Sequence, residues 1–497
     1  MNAATEDPFG PCRAALDSLV WFLEGQEAAT MSHGDLEARI GLDGREVQRL
    51  ALQGHLDRRA ERETRIEAVV GSDNAERTSV ETGHTRGLTT VFGEVTVERF
   101  AYRRRGHANL HPADAALNLP AERHSHGLSK LAAIESSRGS FDDAVDAVEV
   151  ATGQKLGKRQ LEGLALASAG DFAAFYETRE GPRSHDKDVL VISVDGKGIV
   201  MRPEALRPAT AQAAAKSERK LKTRLSKGEK LNRKRMAEIG AVYDITPARR
   251  SRYDIMPPDK ERKVTPGPVA RDKWLTASVV EPAASVVSQV FDEADRRDPE
   301  HLKTWVALVD GNNNQIDAIR AEAKKRNVKV HILVDFIHLL EYLWGAAWCF
   351  NSEGDPAAEE WVRDKALSVL SGQAKRVAGG ISISATKRKL TKVKRANADK
   401  CIAYLRNKAR YLDYATALSA GWPVATGIIE GACRHLVKDR LDITGARWGL
   451  EGAEAILKLR AIRSNGDFEE YWPYHLDQEH RRVHQARYAG TVADMAA

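Results

Sequence analysis

The chain of 497 residues carries 76 Lys and Arg against 70 Asp and Glu, a formal net charge of +6, with 42% hydrophobic and 29% charged residues. That composition is too apolar for a mostly disordered chain, and at roughly 100–200 residues per domain the length allows about three domains. The four cysteines, Cys12, Cys349, Cys401 and Cys433, form no C-x-x-C pair, which excludes a disulfide scaffold and a cysteine zinc site and fits a reducing cytoplasm. No run of about 18 apolar residues occurs, so no membrane span is expected, and the opening MNAATEDPFGPCRAA lacks the basic and apolar regions of a secretory signal.

Residues 14–70 read as helices. Ser32 and Asp35 suit caps, and Ile40, Val47, Leu50, Leu52 and Leu56 recur at helical spacing. The Gly41-Leu42-Asp43-Gly44 break predicts a helix–turn–helix-like pair, although ordinary helical packing explains so loose a motif as well. Residues 87–103 alternate apolar and polar about Gly93, the pattern of a β-hairpin. An irregular stretch over 107–127 leads to helices through 128–178, where the Thr152-Gly153 break gives a second helix–turn–helix rhythm.

From residue 186 the texture changes. DKDVLVISVDGKGIV is a β-branched run that predicts a strand buried on both faces and ending in Asp195. Strands are predicted at 237–245, 273–280, 304–311 and 328–335, with helices over 283–297 and after Asp310, so the order is βββαβαβα, a mixed α/β layer. The expected division is a helical region 1–85, a hairpin and helical DNA-binding region 86–185, a catalytic domain of 186–351 and 421–465 with a basic insertion 203–236, a helical insertion 352–420, and a tail 466–497. Within the basic insertion, residues 216–235 hold ten Lys or Arg against two Glu, and residues 387–395 hold six basic residues in nine. Such runs are commonly solvated faces, but two of them flanking an acidic site point to DNA.

Asp195, Asp310 and Asp335 each fall where a strand is predicted to end, and open α/β sheets place their sites at the carboxyl ends of strands. Asp335 directly precedes a helix, so a capping role accounts for it; Asp195 and Asp310 are the stronger candidates. Glu430 lies on an apolar stretch followed by Arg434, His435, Lys438 and Arg440, which sets a carboxylate beside cations suited to phosphate. Two Asp and one Glu are a donor set for hard divalent cations in phosphodiester chemistry.

These residues sit in segments that resemble bacterial insertion-sequence transposases of the ISKra type, related to the ISLre and mutator-like groups of the Asp-Asp-Glu superfamily. The resemblance is carried by TVFGEVTVERFAYR, HPADAALNLP, SRGSFDDAV, VDGKGIVMRPEALRPAT, VDGNNNQ, VDFIHLLEYLW and GIIEGACRHLVKDRLDITGARWGLEGAEAILKLR, spanning about 87–462. It implies a ribonuclease H-like catalytic core, Asp195, Asp310 and Glu430 as catalytic acids and ligands of two Mg²⁺ (or Mn²⁺), and DNA transposition as the activity. Asp335 and His338 align with a Cys/Asp-x-x-His signature and are possible supporting residues; a core-facing position accounts for His338 about as well. Arg447 and Trp448 fall in a Gly-x-Arg-Trp segment that packs or contacts DNA.

The expected partners are double-stranded DNA, as terminal inverted repeats and target, and further copies of the chain in a dimer or higher oligomer, in a bacterial cytoplasm at the nucleoid. Phosphate contacts are expected from Arg434, Lys438, Arg440 and Arg447, from Lys220, Lys222, Arg224, Arg233, Lys234 and Arg235, and from Lys387, Arg388 and Lys389. A nuclease without strand transfer or a catalytically silent DNA-binding regulator are the alternatives. A tyrosine recombinase is disfavoured by the five strands, and a zinc hydrolase by the lack of His-Glu-x-x-His spacing.

Overall fold

The structure is a computed structural model that describes residues 7–182, 187–216, 233–258, 263–443 and 445–490. Two compact units emerge: one joins the N-terminal residues through Glu177 to the segment from Asp467 onward, and the other is Thr178–Gly466. The segment expected as a tail is therefore part of the N-terminal unit. Its helix Phe468–Val483 buries Phe468, Tyr471, Trp472 and His475. The Tyr471 hydroxyl donates to the Ser168 carbonyl at 2.7 Å, and Tyr488 joins a core of Val69, Tyr102, Leu110 and Ala115.

The first unit also overturns the expected break at 41–44. Helix His33–Glu61 runs through it without interruption, started by the Ser32 hydroxyl, which accepts the Asp35 N–H at 3.2 Å. Two glycines cost about 1 kcal/mol each in a helix but do not forbid it. The Arg39–Asp43 pair at 2.6 Å spans Gly41, and Cys12 of the preceding helix Gly10–Glu24 donates to the Val47 carbonyl beyond Gly44. After two short strands, β1 (Val69–Val70) and β2 (Glu76–Arg77), the hairpin forms from β3 (Ser79–Thr90) and β4 (Gly93–Arg103). Leu56 of the long helix packs with Leu88, Val95, Val97 and Leu119, so residues 1–85 and the hairpin share a core rather than forming two regions. Helices His126–Arg138, Phe141–Thr152 and Lys158–Ser168 follow around Leu128, Val148 and Leu161. Gly153 closes the second of them at φ +71, where the break at Thr152-Gly153 is expected.

The second unit is built on a five-stranded mixed sheet of β5 (Val189–Val200), β6 (Lys234–Ile245), β7 (Ala270–Ser278), β8 (Thr304–Val309) and β9 (Val330–Val334), in the order β7-β6-β5-β8-β9. β5, β6 and β7 pair antiparallel, whereas β5–β8 and β8–β9 are parallel. Helices Ala283–Arg297, Asn313–Lys325 and Phe336–Ala347 follow β7, β8 and β9, which gives the mixed α/β order expected from the residues. One detail differs: β5 does not end at Asp195. Its antiparallel pairing continues to Val200↔Lys234, and only the parallel pairing stops, at Val194↔Val309.

Helix Ala283–Arg297 lies close on the sheet, since a Cβ at Gly240 would stand 2.3 Å from the Val290 side chain. At the end of β6 away from Asp195, Arg297 binds Asp244 at 3.2 Å and Glu293 at 2.7 Å, and Lys303 reaches Asp244 at 3.4 Å, all buried. The stretch 352–420 forms helices Pro356–Leu370, Ala374–Lys387, Ala396–Asn407 and Tyr414–Ala420. It belongs to this unit and is no separate domain by contacts. Tyr404, Tyr411 and Tyr414 of this stretch are all buried. Lys220, Lys222 and Arg224 lie outside the described residues. Among the described residues no helix is long and apolar enough to cross a membrane.

Removing one partner of a buried ionic group strands the others in low dielectric. Arg297→Ala is therefore expected to destabilise the chain by about 3 kcal/mol, read from the shift in urea midpoint, whereas Arg296→Ala, whose pair with Glu293 is less buried, shifts it far less.

Candidate active site

β8 ends at Val309 while β5 runs on, so a crevice opens beside β5 beyond Val194. Asp195 is the first residue past that point. Its carboxylate accepts the Gly196 N–H at 2.7 Å and the Cys433 thiol at 3.2 Å. Asp310 directly follows β8 and accepts the Asn312 N–H at 2.8 Å. The intervening Gly311 has φ +98, and a Cβ there would stand 3.0 Å from the Tyr404 hydroxyl, so this turn needs glycine on both counts.

Asp335 directly follows β9, held by its N–H donating to the Val309 carbonyl at 2.8 Å. One oxygen caps helix Phe336–Ala347 through the Ile337 N–H at 2.8 Å, as the capping reading expects. The other accepts the Thr426 hydroxyl in a short contact, and Asp335 is only 2% exposed. Thr426 also lies 3.4 Å from the Glu430 carboxylate. Glu430 stands on helix Gly427–Ala432, which continues through a π-helical turn, Cys433–Lys438, into Asp439–Leu441. Such π turns recur at functional sites; this one brings the Cys433 thiol onto Asp195.

A cleft of about 170 Å³ is lined by Asp195, Asp310, Asp335, His338, Glu341, Thr426 and Glu430. The structure thus brings together all three sequence-predicted acids with Asp335 and His338. The imidazole of His338 is 3.3 Å from Glu341 and edge-on to Tyr342. Four neighbours escaped the sequence reading: Thr426, Glu341, Cys433 and Glu238. Glu238 faces Gly196 across β5 and β6, and one of its oxygens is buried with no hydrogen-bond partner among the described residues. Burial pushes its carboxyl pKa up; a hydrogen bond from Gln315 opposes this, and the negative charges of Asp195 and Asp310 add to it. Burial and Asp195 likewise push the Cys433 thiol up, so it stays protonated and donates. In sequence, Glu238 is one of two carboxylates in AEIGAVYDI; only the cross-strand register tells it from Asp244, which sits at the far end.

The basic residues divide. Arg434, Lys438 and Arg447 are exposed, although Arg434 and His435 both reach Asp439, at 3.7 and 3.4 Å. Arg440, expected as a phosphate contact, is instead 2% exposed with its guanidinium over the Trp448 ring, so it packs. Trp448 itself extends β5 through its N–H on the Val200 carbonyl and donates its indole N–H to Leu441. Arg235 donates to the carbonyls of Val279, Ala205 and Val280, which holds it to the protein rather than to a ligand. Lys234 lies 3.6 Å from Asp442, and Arg233 is half-buried. Lys387, Arg388 and Lys389 are exposed, with Arg388 donating to the Phe350 carbonyl at 2.7 Å.

Among the described residues no three His, Cys, Asp or Glu side chains are drawn together closely enough to hold a metal ion as they stand. The donors nevertheless suit a hard cation: they are carboxylates in one cleft, and Asp195, Asp310 and Glu430 retain lone pairs facing it. A comparison with protein-family models finds no match, and a comparison with curated proteins finds none either.

A carboxylate raised above its ordinary value of 4.5 stabilises the fold below that pH, and the contribution is lost as pH rises through the folded value. Glu238→Gln lacks that loss. In EDTA it is expected to melt above the wild type near about pH 8, with the gap closing as the pH is lowered toward 4.5, as followed by thermal denaturation.

Proposed function

We propose that the chain is a DNA transposase: a ribonuclease H-like, metal-dependent enzyme that cuts at the ends of an insertion sequence and joins them to target DNA. One observation carries the reading. Asp195, Asp310 and Glu430, far apart in sequence, line a single cleft just beyond the last shared pair of β5 and β8. The sheet order, with the first strand parallel to the fourth and antiparallel to the second, supports a ribonuclease H-like core.

In this reading Asp195, Asp310 and Glu430 hold Mg²⁺ or Mn²⁺. Bound there, the divalent cations activate a water or a 3′-hydroxyl and stabilise the leaving oxygen of a phosphodiester. The chain's own residues prepare the carboxylates. The Gly196 N–H and the Cys433 thiol fix Asp195, and the Asn312 N–H fixes Asp310. Thr426 links Asp335 to Glu430, so Asp335 supports the site from a buried position. The exposed Arg434, Lys438 and Arg447, with Lys387, Arg388 and Lys389, supply sequence-independent contacts to DNA phosphates. The DNA partners are terminal repeats and target, and pairing of two ends calls for at least a dimer acting at the bacterial nucleoid.

Asp195→Asn, Asp310→Asn and Glu430→Gln are each expected to lower Mg²⁺-dependent end cleavage by about 10³-fold or more while leaving DNA binding in mobility-shift assays intact. Retained cleavage removes the altered residue from the mechanism. Wild-type chain that cleaves but cannot join pre-cut ends to a plasmid points to a nuclease without strand transfer. Thr426→Val is expected to lower cleavage by about tenfold and Thr426→Ser to restore most of it, since only the hydroxyl links Asp335 to Glu430.

A further inference from the structure

Beside the acid cleft lies a second cavity of about 280 Å³, between helices Phe336–Ala347 and Ala396–Asn407. Its walls are His338, Glu341, Tyr342, Gly345, Asn397 and Lys400. His338 and Glu341 also line the acid cleft, so the two cavities share a wall and form one groove from the carboxylates to the helical insertion. Apart from the shared His338 and Glu341, the residues of this second compartment are not metal ligands. They offer an aromatic ring, an amide and a cation.

Tyr342 is held rigidly, its ring stacked on Tyr404 at 4.0 Å and edge-on to His338 at 5.5 Å. Asn397 and Lys400 are exposed on the facing helix. Among the described residues Lys400 has no ion-pair partner and the Asn397 side chain makes no hydrogen bond, so both are available to a ligand. The Glu341 carboxylate lies 3.3 Å from the His338 ring, on the wall shared with the acid cleft. A ring for stacking, an amide for a base edge and a lysine for a phosphate are the chemistry of one nucleotide out of its duplex. The cavity is below the roughly 300–1,000 Å³ of a drug-sized ligand pocket, which suits one nucleotide and excludes a duplex.

We propose that this cavity is a subsite for an unpaired nucleotide of the DNA strand next to the scissile phosphate. Tyr342 stacks on its base, Asn397 reads its edge and Lys400 holds its phosphate. The proposal rests on the DNA-processing reading of the adjacent cleft and adds to it which form of DNA the groove accepts.

The test is fluorescence anisotropy with full-length protein in EDTA, where no cleavage occurs. The probes are a fluorescein-labelled single strand of about twelve thymidines and a labelled duplex of the same length, about the site size of single-strand binders. Lys400→Ala, Asn397→Ala and Tyr342→Leu are each expected to weaken single-strand binding by roughly five- to tenfold, and duplex binding by less than about twofold. Tyr342→Phe keeps the ring and is expected to bind as wild type, which separates stacking from misfolding. Lys324→Ala removes the same charge from an exposed position on helix Asn313–Lys325 and is expected to change neither. If wild-type chain binds both probes and the three variants lose neither, or lose both equally, the subsite is overturned while the DNA reading stands. If wild-type chain binds neither probe, the DNA reading itself falls, and the subsite with it.

Discussion

The candidate site depends on a mismatch of strand lengths. β5 and β8 pair in parallel only as far as Val194 and Val309, and β5 then continues against β6 alone. Where a central strand loses one neighbour, the side chains just beyond the last shared pair meet a gap instead of a packed layer. Asp195 and Asp310 are those side chains, and Asp335 follows at the end of β9.

The closing element is the segment from Val424 to Leu441. The Val424 carbonyl accepts the Phe336 N–H at 2.9 Å, which sets Thr426 against Asp335 and so sets the start of the helix that bears Glu430. Thr426 has one hydroxyl proton, and the short contact shows it given to Asp335. The same hydroxyl stands 3.4 Å from the Glu430 carboxylate, so one side chain sits between the two acids. Two carboxylates about 4 Å apart repel by about 4 kcal/mol at an effective dielectric near 20. The cleft is lined by five carboxylates, Asp195, Asp310, Asp335, Glu341 and Glu430, with Glu238 behind them; burial chiefly, and the charges of Asp195 and Asp310 in addition, push the Glu238 carboxyl up.

The helical insertion takes part in this arrangement. Tyr404 donates to the Asp310 carbonyl at 3.2 Å, and Tyr414 donates to the Val334 carbonyl at 2.9 Å. Each therefore grips the backbone at the end of an acid-bearing strand. The buried ionic cluster about Arg297 and Asp244 lies at the other end of the sheet, where it orders the packing of helix Ala283–Arg297 without adding charge to the site. Charge is thus separated by end: buried, paired groups at one, the acids of the cleft at the other.

The residues alone determined the mixed α/β order, because continuous β-branched runs and amphipathic helices bury their apolar faces in only a few ways. They also picked out Asp195, Asp310 and Glu430, since a carboxylate ending an apolar run is costly to bury and conspicuous in the sequence. Local pattern failed where distant contacts decide. The glycines at 41 and 44 looked like a turn, but helix His33–Glu61 runs through both, with an i,i+4 pair across Gly41 and a contact from Cys12 to the Val47 carbonyl beyond Gly44. Arg440 and Arg235 looked like ligands for phosphate, yet an indole ring and three carbonyls hold them. Glu238, Thr426 and Cys433 carry no mark in the sequence. Their place beside the acids follows from strand register and from a π turn, which are properties of the folded chain and not of any short stretch of it.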